Sequence, residues 1–136
     1  MAETSLSKKL GIKPGYKLLV LNAPAGYLSS LEPIPDGAEL KTSASGTFDF
    51  VQLFVRNKAE LDSQAASAIK ALKPGGLLWF SFPKKSSRVQ TDLTRDVGWD
   101  TVRSTGLDTV TAISIDDTWS ALRFRPVNEV KSRQKT

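Results

Sequence analysis

Five cations stand where this sequence could bring them to one anion: Arg56, Lys58, Lys84, Lys85 and Arg88. Asn22, Ser86, Ser87 and Thr91 add neutral hydrogen-bonding groups in the same segments. Guanidinium and ammonium groups gathered around hydroxyls and an amide suit a phosphate, a nucleotide, nucleic acid or an acidic protein surface. The chemistry they offer is binding. The chain has no histidine and no cysteine. That removes the usual general base, the thiolate nucleophile, disulfides, and imidazole or thiolate metal sites. Proton transfer would fall to carboxylates, lysines or the two tyrosines, Tyr16 and Tyr27, and both tyrosines read as packing residues. Asp49 reads as a strand-start group or the partner of a nearby cation. Asp116-Asp117 reads as a turn, since two acids without a third ligand are a weak metal signal.

Whether the cations meet depends on the elements that carry them. Lys17–Leu21 is a nearly continuous apolar run, as expected of a central parallel strand covered on both faces. Phe48–Val55 is a second strand and Leu77–Phe82 a third. Between them, Asn57 with Glu60 three residues later marks a helix start. Leu61, Ala65, Ala68, Ile69 and Leu72 then share a helical face. Lys73-Pro74-Gly75-Gly76 stops that helix as a tight turn, so strand, helix and strand form a βαβ unit. Lys13-Pro14-Gly15 repeats the turn ahead of the first strand. Leu6 and Leu10 fit a helical turn closed by Gly11. Tyr27, Leu28 and Leu31 fit a short helical turn, and Ala38–Thr42 a short edge strand. Thr91–Ser104 has roughly helical spacing interrupted at Gly98. Leu107–Ile115 and Thr118–Arg125 form an antiparallel hairpin, with Arg123 and Arg125 giving the last strand one wet face. Trp79, Trp99 and Trp119 read as core or boundary residues.

In an open parallel sheet, ligands bind beyond the carboxyl ends of the strands. Three loops leave those ends here: 22–27, 56–58 and 83–88. Neighbouring strands would bring the five cations to one rim. A helix starting near Ser87–Asp92 would add amide donors there, with Asp92 opposing a bound anion.

The totals agree with such a fold. At 136 residues, 40% hydrophobic and 24% charged, the chain suits one α/β domain over residues 1–126 with a polar basic tail at 127–136. Its net charge of +5 is spread along the chain among acids, which fits a solvated basic surface better than a dedicated nucleic-acid face. Met1–Leu10 lacks the apolar segment of a signal peptide, and no apolar run approaches a membrane span. A cytoplasmic protein that does not enter the membrane is expected.

Leu10-Gly11-Ile12-Lys13-Pro14-Gly15-Tyr16-Lys17-Leu18-Leu19-Val20-Leu21 resembles the approach to the first strand of class I S-adenosylmethionine-dependent methyltransferases. Phe48-Asp49-Phe50-Val51, the following helix and Leu72-Lys73-Pro74-Gly75-Gly76-Leu77-Leu78 resemble their fourth strand, its helix and the entry to their fifth. The hairpin would match their last two strands. The whole chain resembles most closely a small bacterial family, a domain of unknown function, with a trimmed sheet of this kind. The resemblance implies a Rossmann-like, methyltransferase-like, mostly parallel sheet of five or six strands, helices on both faces and a C-terminal antiparallel hairpin.

It does not carry the family's cofactor residues. The family's glycine-rich loop after strand one lets backbone approach the cofactor. Here Asn22-Ala23-Pro24-Ala25-Gly26 holds one glycine, a proline without an amide donor, and β-carbons. Residues 22–47 also leave less room than the family's two further strands need, one of which ends in an acid for the cofactor ribose. Glu32 and Glu39 lie in this gap, and neither ends a strong strand. The expected function is therefore non-catalytic binding of an anionic ligand or a macromolecular partner, a protein before a nucleic acid, at the rim formed by Asn22, Arg56, Lys58, Lys84, Lys85, Ser86, Ser87 and Arg88. No metal and no cofactor are expected, and S-adenosylmethionine is disfavoured. The alternative is a minimal S-adenosylmethionine-dependent methyltransferase with an altered loop. A third reading is a structural subunit that forms a homodimer through 38–42.

Overall fold

In the computed structural model the residues described are 9–31, 34, 36–42, 46–84, 91–94, 98–116 and 118–126. Among them run six strands: β1 (Lys17–Leu21), β2 (Glu39–Lys41), β3 (Phe48–Phe54), β4 (Leu72–Pro83), β5 (Leu107–Ser114) and β6 (Trp119–Pro126). They form one sheet in the order β2-β1-β3-β4-β6-β5. The first four neighbours are parallel, and β6 runs antiparallel to both β4 and β5. β1 and β3 are central because their sequences are apolar at consecutive positions, and alternate side chains enter opposite clusters. Leu18, Val20, Phe50, Phe54 and Trp79 enter one cluster. Leu19, Val51, Leu53, Leu78 and Phe80 enter the other.

Among the described residues three complete helices accompany the sheet: α1 (Tyr27–Ser30), α2 (Lys58–Lys70) and α3 (Asp100–Arg103). α2 begins where Asn57 Oδ1 accepts from the Glu60 amide at 2.9 Å. It buries Leu61, Ala65 and Ala68 against the sheet, and the two alanines let it lie close. α3 covers the same face through Val102. Beside it the buried Trp99 packs on Phe80, Phe82 and Phe124 at centroid distances of 6.1, 5.4 and 5.6 Å. The opposite face carries α1, Leu31 and the segment around Leu10 and Ile12. Trp79 Nε1 donates to the Leu10 carbonyl at 3.0 Å and ties that segment down.

Several expectations are met and some are corrected. The edge strand falls at Glu39–Lys41 and the hairpin within a residue or two of its expected bounds. The tight turn at Lys73–Gly76 is instead part of β4. Phe48 pairs with Leu72 and Phe50 with Leu77, so five steps along β4 match two along β3, and the segment is a bulge. Gly76 permits it, because a Cβ there would lie 2.8 Å from the Asp49 carbonyl oxygen. Asp49 ties the starts of β1 and β4 to that of β3. Its carboxylate accepts from the Lys17 amide at 2.9 Å and from Lys73 Nζ at 3.4 Å.

Among the described residues of Thr91–Ser104, only Asp100–Arg103 are helical. Gly98 takes φ +102, outside the helical region, and its missing β-carbon leaves room for the Leu93 side chain, so no regular helix passes through it. The wet face of β6 is only half wet, since Arg123 and Arg125 are both partly buried. Lys9 and Leu10 are helical, while the rest of that expected turn and the tail at 127–136 lie outside the described residues; of the helix start expected near Ser87–Asp92, Thr91 and Asp92 are not helical and 87–90 lie outside the described residues. Among the described residues no helix is long and apolar enough to cross a membrane.

Candidate functional site

The chain passes from β1 to β2 on one side and then to β3 on the other. The carboxyl ends of β1 and β3 therefore flank a topological switch point, where open α/β sheets leave a crevice. A cavity of about 470 Å³ lies there, lined by Asn22, Ala23 and Pro24 after β1, Phe54 and Arg56 at the end of β3, Glu60 and Gln64 of α2, and Trp119 at the start of β6. That volume is within the ~300–1,000 Å³ of small-molecule sites. A shallower depression of about 290 Å³, lined by Gly46, Ser67, Lys70 and Ala71, lies at the end of α2 and has no aromatic wall.

Each lining group is placed by local structure. Asn22 takes φ +59 on leaving β1, and Gly26 takes φ +83 before α1. Asparagine tolerates the left-handed region better than most residues, so the chain turns here without a second glycine. Asn22 Nδ2 donates to Gln64 Oε1 at 2.6 Å and sits 3.4 Å from the Phe54 carbonyl. Among the described bonds, Asn22 Oδ1 and Gln64 Nε2 remain uncommitted. Trp119 is set by an Asx turn, in which Asp116 Oδ1 accepts from the Thr118 and Trp119 amides at 2.8 Å each. Its ring meets Phe54 edge-on at 5.1 Å.

The charges are more balanced than a purely cationic rim. Glu60 Oε1 accepts from the Arg56 amide at 2.8 Å, and Oε2 pairs with the Arg56 guanidinium at 3.0 Å. The bond from the Arg56 backbone, then its side chain, holds the Glu60 carboxyl below the usual range. Arg56 is nevertheless 67% exposed and keeps Nη1 outside that pair.

Of the sequence-derived rim, Asn22 and Arg56 are brought together in this cavity. Lys58 does not line it. Its ammonium donates to Asp62 at 2.8 Å, which raises the lysine pKa and lowers that of Asp62, and its amide donates to Asp92 at 2.8 Å. Lys84 does not line it either. Its ammonium donates to Ser114 Oγ at 2.6 Å and its amide to the Thr118 carbonyl at 2.7 Å. Lys85, Ser86, Ser87 and Arg88 lie outside the described residues. Sequence reasoning missed Gln64, Phe54 and Trp119 as cavity residues. The spacing of Glu60 and Gln64, four apart on the polar side of α2, was the available signal.

No family model and no curated protein matches this sequence. Solved structures do match in shape. An S-adenosylmethionine-dependent methyltransferase from Aquifex aeolicus is 14% identical with a TM-score of 0.60, over 86% of this chain and 85% of that one. DhpI, in a complex with SAH, is 13% identical with a TM-score of 0.61, over 90% and 82%. A ribosomal protein L11 methylase from Lactobacillus delbrueckii subsp. bulgaricus is 12% identical with a TM-score of 0.57, over 88% and 73%.

These likenesses correct one expectation. S-adenosylmethionine was disfavoured because the loop after β1 lacks the family's glycines, yet similar sheets include proteins described with that cofactor or its product. The physical reason is local: Asn22 and Gly26 take the left-handed backbone turns that a glycine-rich loop would otherwise supply. The narrower resemblance to a small bacterial family has no counterpart among these matches. What the chain shares with all three is its fold, a methyltransferase-like Rossmann sheet ending in an antiparallel hairpin.

Proposed function

We propose that this protein binds S-adenosylmethionine in the cavity between β1 and β3 and serves as a minimal methyltransferase. The observation that carries the reading is the position of an aromatic-walled cavity at the switch point of a methyltransferase-like sheet. The lining fits such a ligand. Arg56 offers a guanidinium to a carboxylate, and Asn22 and Gln64 offer an amide acceptor and donor to hydroxyl or amino groups. Phe54 and Trp119 offer ring faces to a flat base or a positive sulfur centre. S-adenosylmethionine, when bound, supplies an electrophilic methyl group. The chain's own part is to orient the ligand through Arg56 and Asn22 and to keep water from it with Phe54 and Trp119.

Titration calorimetry with S-adenosylmethionine and S-adenosylhomocysteine tests the reading. Micromolar binding is expected, weakened about tenfold or more in Arg56→Ala or Trp119→Ala, as for loss of a charged hydrogen bond or an aromatic contact. No heat and no thermal stabilisation at millimolar ligand would overturn it. Stabilisation by pyrophosphate or nucleotides alone, lost in Arg56→Ala, would instead favour an anion-binding protein without transfer chemistry.

A further inference from the structure

One buried polar chain lies on the sheet face that carries α1, beneath the candidate cavity. The Tyr27 hydroxyl donates to Gln52 Oε1 at 2.6 Å, and Gln52 Nε2 donates to Ser81 Oγ at 2.9 Å. Gln52 and Ser81 are completely buried, and Tyr27 is 4% exposed. Burial pushes the phenol pKa well above its ordinary value, so it remains a protonated donor at any physiological pH. A core of valine and phenylalanine would pack this region without three polar groups, so their presence asks for a purpose.

The chain links three elements to one loop. Gln52 is on β3 and Ser81 on β4, at the centre of the sheet. Tyr27 opens α1, directly after the Asn22–Gly26 loop that forms one wall of the cavity. Its amide also donates to the Pro24 carbonyl at 3.0 Å, closing that loop upon itself. The Tyr27 ring meets Phe54 edge-on at 4.6 Å, and Phe54 in turn meets Trp119. Both the loop wall, through the Tyr27 amide, and the aromatic wall, through its ring, thus adjoin one residue.

We infer that Tyr27 is a positioning residue, whose hydrogen bond to Gln52 fixes the Asn22–Gly26 loop over the strand tips and so sets ligand affinity at the cavity. A packing role alone would be met by the ring. The hydroxyl adds direction, because a buried amide bonded on both sides admits only one placement of the phenol. The inference rests on the reading of the cavity as a cofactor site, and its test separates the two.

The full-length chain is compared with Tyr27→Phe, with the triple variant Tyr27→Phe/Gln52→Leu/Ser81→Ala, and with Val102→Ala on the opposite face. Affinity for S-adenosylhomocysteine is read by calorimetry, and amide hydrogen exchange is followed at Asn22, Ala23, Ala25 and Gly26. Tyr27→Phe should weaken binding roughly three- to tenfold, as expected for one lost buried hydrogen bond, and speed exchange in the loop. The triple variant removes the orphaned groups and should regain most of the lost Tm without regaining affinity or loop protection. Val102→Ala should lower Tm and leave affinity unchanged. Recovery of affinity and protection in the triple variant would overturn the inference, as would unchanged loop exchange in Tyr27→Phe. A wild-type chain that binds no S-adenosylhomocysteine, with faster loop exchange in Tyr27→Phe, would remove the cofactor reading and leave the positioning role standing.

Discussion

At the scale of single residues, the charges around the start of α2 are organised in pairs four apart, Arg56–Glu60 and Lys58–Asp62. Glu60 and Asp62 hold their protons less tightly in the folded chain than ordinary carboxylates do. Their contribution to stability is therefore present above the ordinary carboxylate values and lost as pH falls from those values through the lowered folded ones. A stability–pH profile should decline below about pH 4.5, the ordinary value for glutamate, and Glu60→Gln/Asp62→Asn should flatten that decline. The slope should shrink at high salt, because both pairs are at the surface. An unchanged slope in the double variant would show that other carboxylates control acid unfolding. Replacing the cap, Asn57→Ala, should cost ~1 kcal/mol in urea melts. Both pairs were legible in the sequence once a helix starting at Asn57 was read, since i and i+4 residues adjoin on a helix. The helix-start pattern by itself gives Glu60 only to the cap. Glu60 reaches past Asn57 to the Arg56 amide instead. Trp119 was legible only as an apolar residue, because its place at the cavity depends on the Asp116 turn and on β6 lying beside β4.

At the scale of elements, β1, β3 and the strand after Gly76 could be read from unbroken apolar runs, since parallel strands covered on both faces need them. The bulge in β4 could not, because Lys-Pro-Gly-Gly is also a good turn. What distinguishes the two is contact with another chain segment, the Asp49 carbonyl beside Gly76. The two glycines should respond differently to alanine. At Gly75 a β-carbon meets nothing within 4 Å, and only the φ of +80 is costly, about 1–2 kcal/mol. At Gly76 the β-carbon would sit 2.8 Å from the Asp49 carbonyl and 3.0 Å from the Lys73 carbonyl, both backbone atoms that cannot swing away. Gly76→Ala should therefore lose about 2–3 kcal/mol or more, with a lowered urea midpoint. Equal losses at the two positions would mean that the bulge relaxes. In the segment 91–104 the break expected at Gly98 falls where the described chain lies outside helical geometry. Its place in the sequence was legible, but not that its missing β-carbon lets Leu93 into the core.

At the scale of the whole molecule, the sheet order decides where a ligand can sit. Spread along the sequence, Asn22, Arg56, Lys58 and Lys84 look equally eligible for one rim. Placing β1 next to β3 joins Asn22 with Arg56, while β4 and the hairpin carry Lys84 towards Ser114. Strand order is a long-range property, and local patterns do not encode it. Binding at the switch point should then appear as stabilisation of the entire chain, because a ligand held only by the folded state shifts the unfolding equilibrium. With S-adenosylhomocysteine at a hundred times its Kd, folding should gain about 2.7 kcal/mol, a rise in Tm on the order of 10 °C. A tenfold loss of affinity in Arg56→Ala or Trp119→Ala should roughly halve that gain at the same ligand concentration. Gly75→Ala, in the bulge at the amino end of β4, should lower the starting Tm and keep the full ligand-induced rise. Differential scanning calorimetry of the four proteins, with and without ligand, reads all of these quantities together. If the rise survives in both cavity variants, the ligand binds elsewhere on the sheet. If it is halved in Gly75→Ala as well, the gain tracks general stability and not the cavity.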